Sequence, residues 1–239
     1  MRLILFSVLL LATKLSFAKE PFILAAESSW PPYAKEDGQG ISREIIEKAY
    51  ALVGMKVTFV IVPYARALHL TKQGDVDGAF NVTRQQSTER DFLFGEEPLL
   101  QAAASFYFPP DSNLNFDSIL DAPNRMSVAI IIGYEYGDLY DKQRYRFSEV
   151  AVTSQKQIIQ LLRRNRVQSA IMFDRVAEYH LEQLKLPKDS IRKGPLNHIS
   201  NIHVAFSRNR PSARDAMTKL DEGLRLLRLS HPRVNELAL

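Results

Sequence analysis

The sequence predicts an α/β protein of two lobes joined by a pair of crossing strands. Three observations predict it. Residues 22–81 alternate strand, helix, strand, helix, strand, the pattern of a mostly parallel sheet covered by helices. A second unit of the same grammar occupies residues 126–184. Between the two, residues 99–108 form an extended apolar stretch closed by Pro109-Pro110, and a late strand at 202–206 is able to run back. A cleft between such lobes is the ordinary place for a small ligand.

Each element has a local reason. Residues 22–27 read as a short buried strand, and the following loop to Tyr33 is kept out of helix by Pro31 and Pro32. Ile41, Ile45, Ile46, Ala49, Leu52 and Val53 recur at helical spacing, with Gly54 where a C-terminal cap belongs. Residues 57–62 are rich in β-branched side chains, 64–73 form a short helix stopped by Gly74, and 77–81 form a third strand. In the second unit, 126–132 is an unbroken apolar run entering a turn at Gly133, as a buried parallel strand does. A strand at 147–152 precedes Ser154-x-x-Gln157, a capping box that opens a helix. A strand at 169–173 and a helix at 175–184 follow. The C-terminal stretch 212–229 is amphipathic, with Met217, Leu220, Leu224 and Leu227 on one face.

The N-terminus sets the expected compartment. Arg2, the apolar run 3–12 and Ser16-Phe17-Ala18 have the three-part layout of a secretory signal peptide cleaved after Ala18. Its apolar run is too short to span a bilayer. The reading is therefore an exported protein, with no cysteine to carry a lipid anchor. Lobe one is expected over 19–103, lobe two over 104–203, and a return to lobe one over 204–239. Arg2 and Lys14 leave with the signal, so the mature chain is about +2 and carries no polybasic run that would favour nucleic acid. Zero cysteines exclude thiolate catalysis and thiolate metal sites.

No nucleophile elbow, zinc-protease helix, phosphate loop or dinucleotide fingerprint is present. The five histidines, at 69, 180, 198, 203 and 231, are not spaced as a metal pair on one helix face. No catalytic residue, metal or cofactor is assigned. Binding candidates cluster where strands end. The loop from Asn81 through Thr83, Arg84 and Arg90 follows the third strand and offers two guanidinium groups, whose planar forks suit carboxylates. Trp30, Tyr33 and Tyr64, with Arg66 nearby, lie at the ends of the first two strands and can wall a cleft; for Tyr64, core packing is an equal alternative. Gly133, Tyr134 and Tyr136 join a buried strand to a helix whose first N–H groups can take an anion, although Glu135 opposes that. Asp174, one residue past a strand, is suited either to an ammonium group or to capping a helix.

These pieces resemble the bacterial extracellular solute-binding proteins of family 3, the polar amino-acid-binding components of ABC transporters. Trp30-Pro31-Pro32-Tyr33 with Gly40-Ile41 carries the likeness, as do Pro63-Tyr64-Ala65-Arg66-Ala67-Leu68 running to Gly74-Asp75-Val76-Asp77-Gly78, and Thr83 through Glu89-Arg90 to Pro98. Gly133 to Gly137 and His203-Val204-Ala205-Phe206-Ser207 complete it. The resemblance implies a location in the periplasm and a type II periplasmic-binding-protein fold that closes on an amino acid or similar polar solute and can serve a membrane permease as partner; a monomer is the default expectation. It implies that Arg90 grips the ligand's α-carboxylate with help from Thr83, that Asp174 takes the α-amino group, and that Trp30 and Tyr33 enclose the side chain. Three departures stand out. The loop beyond Arg90 is short, leaving Arg84 as an alternative clamp. Tyr134-Glu135 replaces small hydroxyl residues, and Asn165-Arg166-Val167-Gln168 replaces Gly-Arg-Val-Asp. An enzyme on the same fold, dehydratase-like and using Glu27 or Asp174, is one alternative, and a ligand-sensing accessory protein is another.

Overall fold

The computed structural model describes residues 22–230, and the expected signal peptide lies outside them, as does His231. Lobe one is built on β1 (Phe22–Glu27), β2 (Val57–Val62) and β3 (Gly78–Thr83), with β1 parallel to both neighbours. Helices α1 (Ile41–Leu52) and α2 (Tyr64–Gln73) connect them. β1 and β3 are buried almost throughout, as centre strands of a covered sheet must be, whereas the edge strand β2 leaves alternate residues exposed. A short helix, α3 (Gln86–Asp91), follows β3, and the two-residue β4 (Leu93–Phe94) adds to the edge.

The chain then leaves along β5 (Leu100–Phe108). Lobe two repeats the plan with β6 (Ser127–Ile131), β7 (Ser148–Val152) and β8 (Ser169–Phe173), and β6 runs parallel to β7 and β8. Helices α4 (Asp138–Gln143), α5 (Gln155–Arg163) and α6 (Asp174–Gln183) belong to it; α5 begins at the capping box read from Ser154 and Gln157. The chain returns along β9 (Arg192–Phe206) to α7 (Ala213–Ser230). The return strand is ten residues longer at its start than the sequence pattern predicts, because Asn197, His198 and Asn201 interrupt the apolar run.

Strand β9 unites the lobes. Its first eleven residues pair antiparallel with β5, and its last five pair with β3, so that Ile202 touches both ladders. The sheet order is β2-β1-β3-β9-β5-β8-β6-β7. This is the two-lobed architecture with two crossing strands that the sequence predicts. Two register shifts interrupt the β5–β9 ladder, between Ala104 and Ser105 and between Ser105 and Tyr107.

Helix α7 closes lobe one by lying on α1. Gly223 permits the approach: a Cβ there would stand 2.1 Å from the Ala49 carbonyl oxygen. The Tyr50 hydroxyl donates to the Ala216 carbonyl at 3.1 Å. Buried Asp77 accepts from the Ile23 N–H at 2.8 Å and from the Ser212 hydroxyl, which ties β1 to the start of α7. Among the described residues, no helix is long and apolar enough to cross a membrane.

Candidate functional site

The strand ends of both lobes meet at one small cavity. Lobe one contributes Glu27, the last residue of β1; Trp30 from the loop after it; Tyr64, which starts α2; and Asn81 and Thr83 at the end of β3. Lobe two contributes Tyr134 and Glu135, just past β6, and Phe173, which ends β8. These are carboxyl ends of parallel strands, where open α/β sheets bind their ligands. The lobes are closed on one another, and the space left between these residues is about 10 Å³, room for about one water. A larger groove of about 650 Å³ runs between the loop from Ser28 to Asp37 and helices α5 and α6.

Two tyrosines bridge the lobes in opposite directions. The Tyr64 hydroxyl donates to Glu135 Oε2 at 2.6 Å, and the Tyr134 hydroxyl donates to Glu27 Oε1. Their rings meet edge to face with centroids 5.1 Å apart. Each lobe thus sets a phenol on the other lobe's carboxyl. Gln85 adds a second bridge: its Nε2 donates to Asp141 at 2.8 Å, and its Oε1 accepts from the Gly137 N–H at 3.1 Å. Beside it the Gln86 N–H donates to Asp138 at 3.1 Å.

Burial dominates the electrostatics. Glu27 is 1% exposed. Loss of hydration raises its pKa to about 8; the Tyr134 hydrogen bond pulls the other way, and the nearby Glu135 charge adds to the rise. Glu135 is also raised to about 8, again chiefly by burial of its carboxyl, with the Tyr64 hydrogen bond opposing and the Asp141 charge adding. Both carboxyls therefore hold protons at neutral pH in this closed form.

Three polar atoms at the cavity have no hydrogen-bond partner among the described residues: Trp30 Nε1, Asn81 Nδ2 and Asn81 Oδ1. Asn81 sits at a register shift in β3 and has φ of 66°. Asparagine tolerates that left-handed backbone better than most residues. Such a bulge turns a side chain out of the ladder's alternation, and the Asn81 amide accordingly lines the cavity rather than being tied to a neighbour.

The predicted residues divide sharply. Trp30, Tyr64, Asn81, Thr83 and Tyr134 are brought together around the cavity. Tyr33 lies behind, stacked on Trp30 at 4.3 Å. Gly133 has φ of 82°, and a Cβ added there would stand 3.4 Å from the Ala65 Cβ of lobe one. Tyr136 is core: its hydroxyl accepts from the Ile131 N–H at 2.7 Å, and its ring packs on Tyr140.

The four charged candidates are not brought to the cavity. Arg66 and Arg90 are exposed on α2 and α3. Arg84 is exposed too, and its guanidinium is occupied by Glu89 at 2.6 Å and by the Gly95 carbonyl at 3.2 Å. The reason is local: residues 86–91, read as loop, form a helical turn that carries Arg90 onto the outer surface. Asp174 accepts from Tyr107 at 2.9 Å, Ser105 at 3.2 Å and Lys193 at 2.8 Å, so it secures α6 to β5 and β9. Three wall residues went unassigned as ligand contacts: Glu27, considered only as a catalytic acid; Glu135, considered only as an obstacle to anions; and Phe173. All three stand at or just past the end of a parallel strand, the signal that would have found them.

Among the described residues, no group of histidine, aspartate and glutamate side chains is arranged to hold a metal ion. No protein-family model matches the chain, and no curated protein matches it. Solved structures do. An ancestral arginine-binding protein bound to arginine superposes with a TM-score of 0.73 at 16% identity, over 92% of this chain and 99% of that one. A histidine kinase sensor domain with similarity to periplasmic binding proteins gives 0.75 at 15% identity, over 92% and 96%. The fold is that of the periplasmic binding proteins. A putative L-cystine ABC transporter protein from Listeria monocytogenes shares it, with a TM-score of 0.72 at 15% identity over 92% and 95%. At this identity the likeness is one of fold.

Proposed function

We propose that the chain is a periplasmic solute-binding protein that closes its two lobes around a small polar molecule bearing an amino group, and that it performs no chemistry on that molecule. The observation that carries this reading is the convergence of Glu27, Trp30, Asn81, Tyr134 and Glu135 from both lobes on one small cavity. The unpaired Asn81 and Trp30 groups there supply hydrogen bonds that no protein neighbour uses. Similar folds that bind arginine or belong to an ABC transporter support it. In this reading the protein is a monomer, and its closed form is presented to a membrane permease.

A second reading keeps the binding step and changes the listener: a similar fold serves as a histidine kinase sensor domain, so the closed form would instead be read by a separate signalling protein. One experiment tests the shared step. The purified protein is incubated with a pool of amino acids, amines and small carboxylates, while thermal shift, small-angle scattering and product formation are followed. Saturable stabilisation with a smaller radius of gyration and unchanged solute is the expected result. Turnover of any solute would make the protein an enzyme, with protonated Glu27 as its acid.

A further inference from the structure

We infer that the cleft, once opened beyond the room for about one water left here, takes a small organic cation, an amine or guanidinium that needs no carboxylate, held by Glu27 and Glu135 among Trp30, Tyr64 and Tyr134. The inference rests on the solute-binding reading and narrows its ligand. It follows from what faces the cavity and what does not. Among the described residues, the wall contains two carboxyls and no basic side chain. Every arginine in the expected anion grip lies elsewhere: Arg66 and Arg90 are exposed, and Arg84 is bonded to Glu89 and Gly95. A ligand carboxylate would therefore be desolvated with no basic side chain in the wall to balance its charge, which is costly for a buried anion. A cation meets the reverse. It gains two carboxylates, the Asn81 carbonyl and a wall that includes the aromatic side chains of Trp30, Tyr64 and Tyr134, able to make cation–π contact.

The groups around the two glutamates agree with this. Glu27 is faced by Tyr134 and Glu135, and Glu135 by Tyr64 and Asp141. Tyr136 lies close to Tyr134. His198, packed on Phe173, is held neutral because burial lowers its pKa to about 4. All of these are acidic or neutral at pH 7. Each glutamate can balance a buried cation's charge only as its carboxylate, so each must first release its proton to solvent. Ligand binding and proton release are therefore one event: the cation takes over the neutralising role that the two protons fill in the closed form.

Isothermal titration calorimetry of the full mature chain tests this with five probes: agmatine, 1,4-diaminobutane, arginine, glutamine and succinate. Agmatine or 1,4-diaminobutane should bind at least tenfold more tightly than glutamine or succinate, and no more weakly than arginine. Affinity should rise about tenfold per pH unit between pH 6.5 and 8 for each carboxyl that ionises. Titrations in buffers of different ionisation enthalpy should show that number of protons released. Glu27→Gln and Glu135→Gln should each weaken the cation and remove one released proton, while urea unfolding at pH 6 confirms that both variants fold. If glutamine or succinate binds most tightly, or if a cation binds with no proton released, the inference is wrong and the solute-binding reading stands. If no probe binds and nothing in the wider pool stabilises the protein, both fall together.

Discussion

The two buried glutamates make stability fall with pH in a window where most proteins are level. Glu27 ionises near 4.5 in an unfolded chain and near 8 in the closed fold. The folded state therefore keeps a proton that the unfolded state has lost, and each pH unit across this interval costs about 1.4 kcal/mol. The contribution is fully present below about 4.5 and is lost as pH rises to about 8. Below 6.5 it is masked. His198 and His203 are buried neutral with pKa values lowered to about 4, so they gain stability as pH rises from about 4 to 6.5. The clean interval is pH 6.5 to 8. Across it Glu27 should remove about 2 kcal/mol, and Glu27 with Glu135 together about 4 kcal/mol. Urea unfolding at half-unit pH steps measures this, with Glu27→Gln expected to halve the slope and Glu27→Gln/Glu135→Gln to flatten it. Opening of the lobes would rehydrate both acids, so scattering at pH 9 should show an enlarged radius where unfolding is less affected than calculated. A wild-type stability that rises from pH 6.5 to 8, or a slope untouched by Glu27→Gln, refutes the reasoning.

Three further outcomes follow from particular contacts. Tyr134→Phe leaves Glu27 without its donor across the lobes, so it should cost about 1–3 kcal/mol in urea unfolding at pH 6. The same change should extend the pH dependence above 8, because that hydrogen bond lowers the Glu27 pKa. Arg84→Ala and Arg90→Ala should each leave ligand-induced thermal shift unchanged and change stability by less than about 1 kcal/mol. Loss of ligand stabilisation in either would place an arginine in the cleft after all. Gly223→Ala should destabilise by about 1–3 kcal/mol, since its methyl would stand against the Ala49 carbonyl and force α7 away from α1. Thermal denaturation reads this directly.

The sequence made the architecture legible because burial writes it twice. The apolar runs of β1, β6 and β8 and the helical spacing in α1, α5 and α7 each report a covered sheet, and the elements lie where those patterns put them. The long start of β9 was not legible. Residues 192–201 are a strand whose pairing with β5 compensates for its polar side chains, and pairing partners leave no periodic trace. In the candidate site, aromatics and strand-end polar residues were readable from position alone. The arginines were not, because a single helical turn at 86–91 decides which way Arg90 faces. Glu27 reads from the sequence only as a candidate catalytic acid and Glu135 only as an obstacle to an anion, because neither position says that a counter-charge can come from a ligand.

The ladder between β5 and β9 has a mechanical consequence. Both register shifts insert their extra residue on β9, so nine residues of one strand are matched by eleven of the other. A ribbon with one long side bows, as a bimetal strip does when one layer expands. The curvature of the ribbon between the lobes is thus written into chain length, and the side-chain bridges at the cavity add to it. Because the shifts lie at Ser105, a small residue flanked by intact pairing on both sides, the ribbon can wind and unwind there with its other rungs unbroken. A solute that turns one lobe against the other would then load this ribbon in torsion, and would also have to displace the side-chain bridges between the lobes.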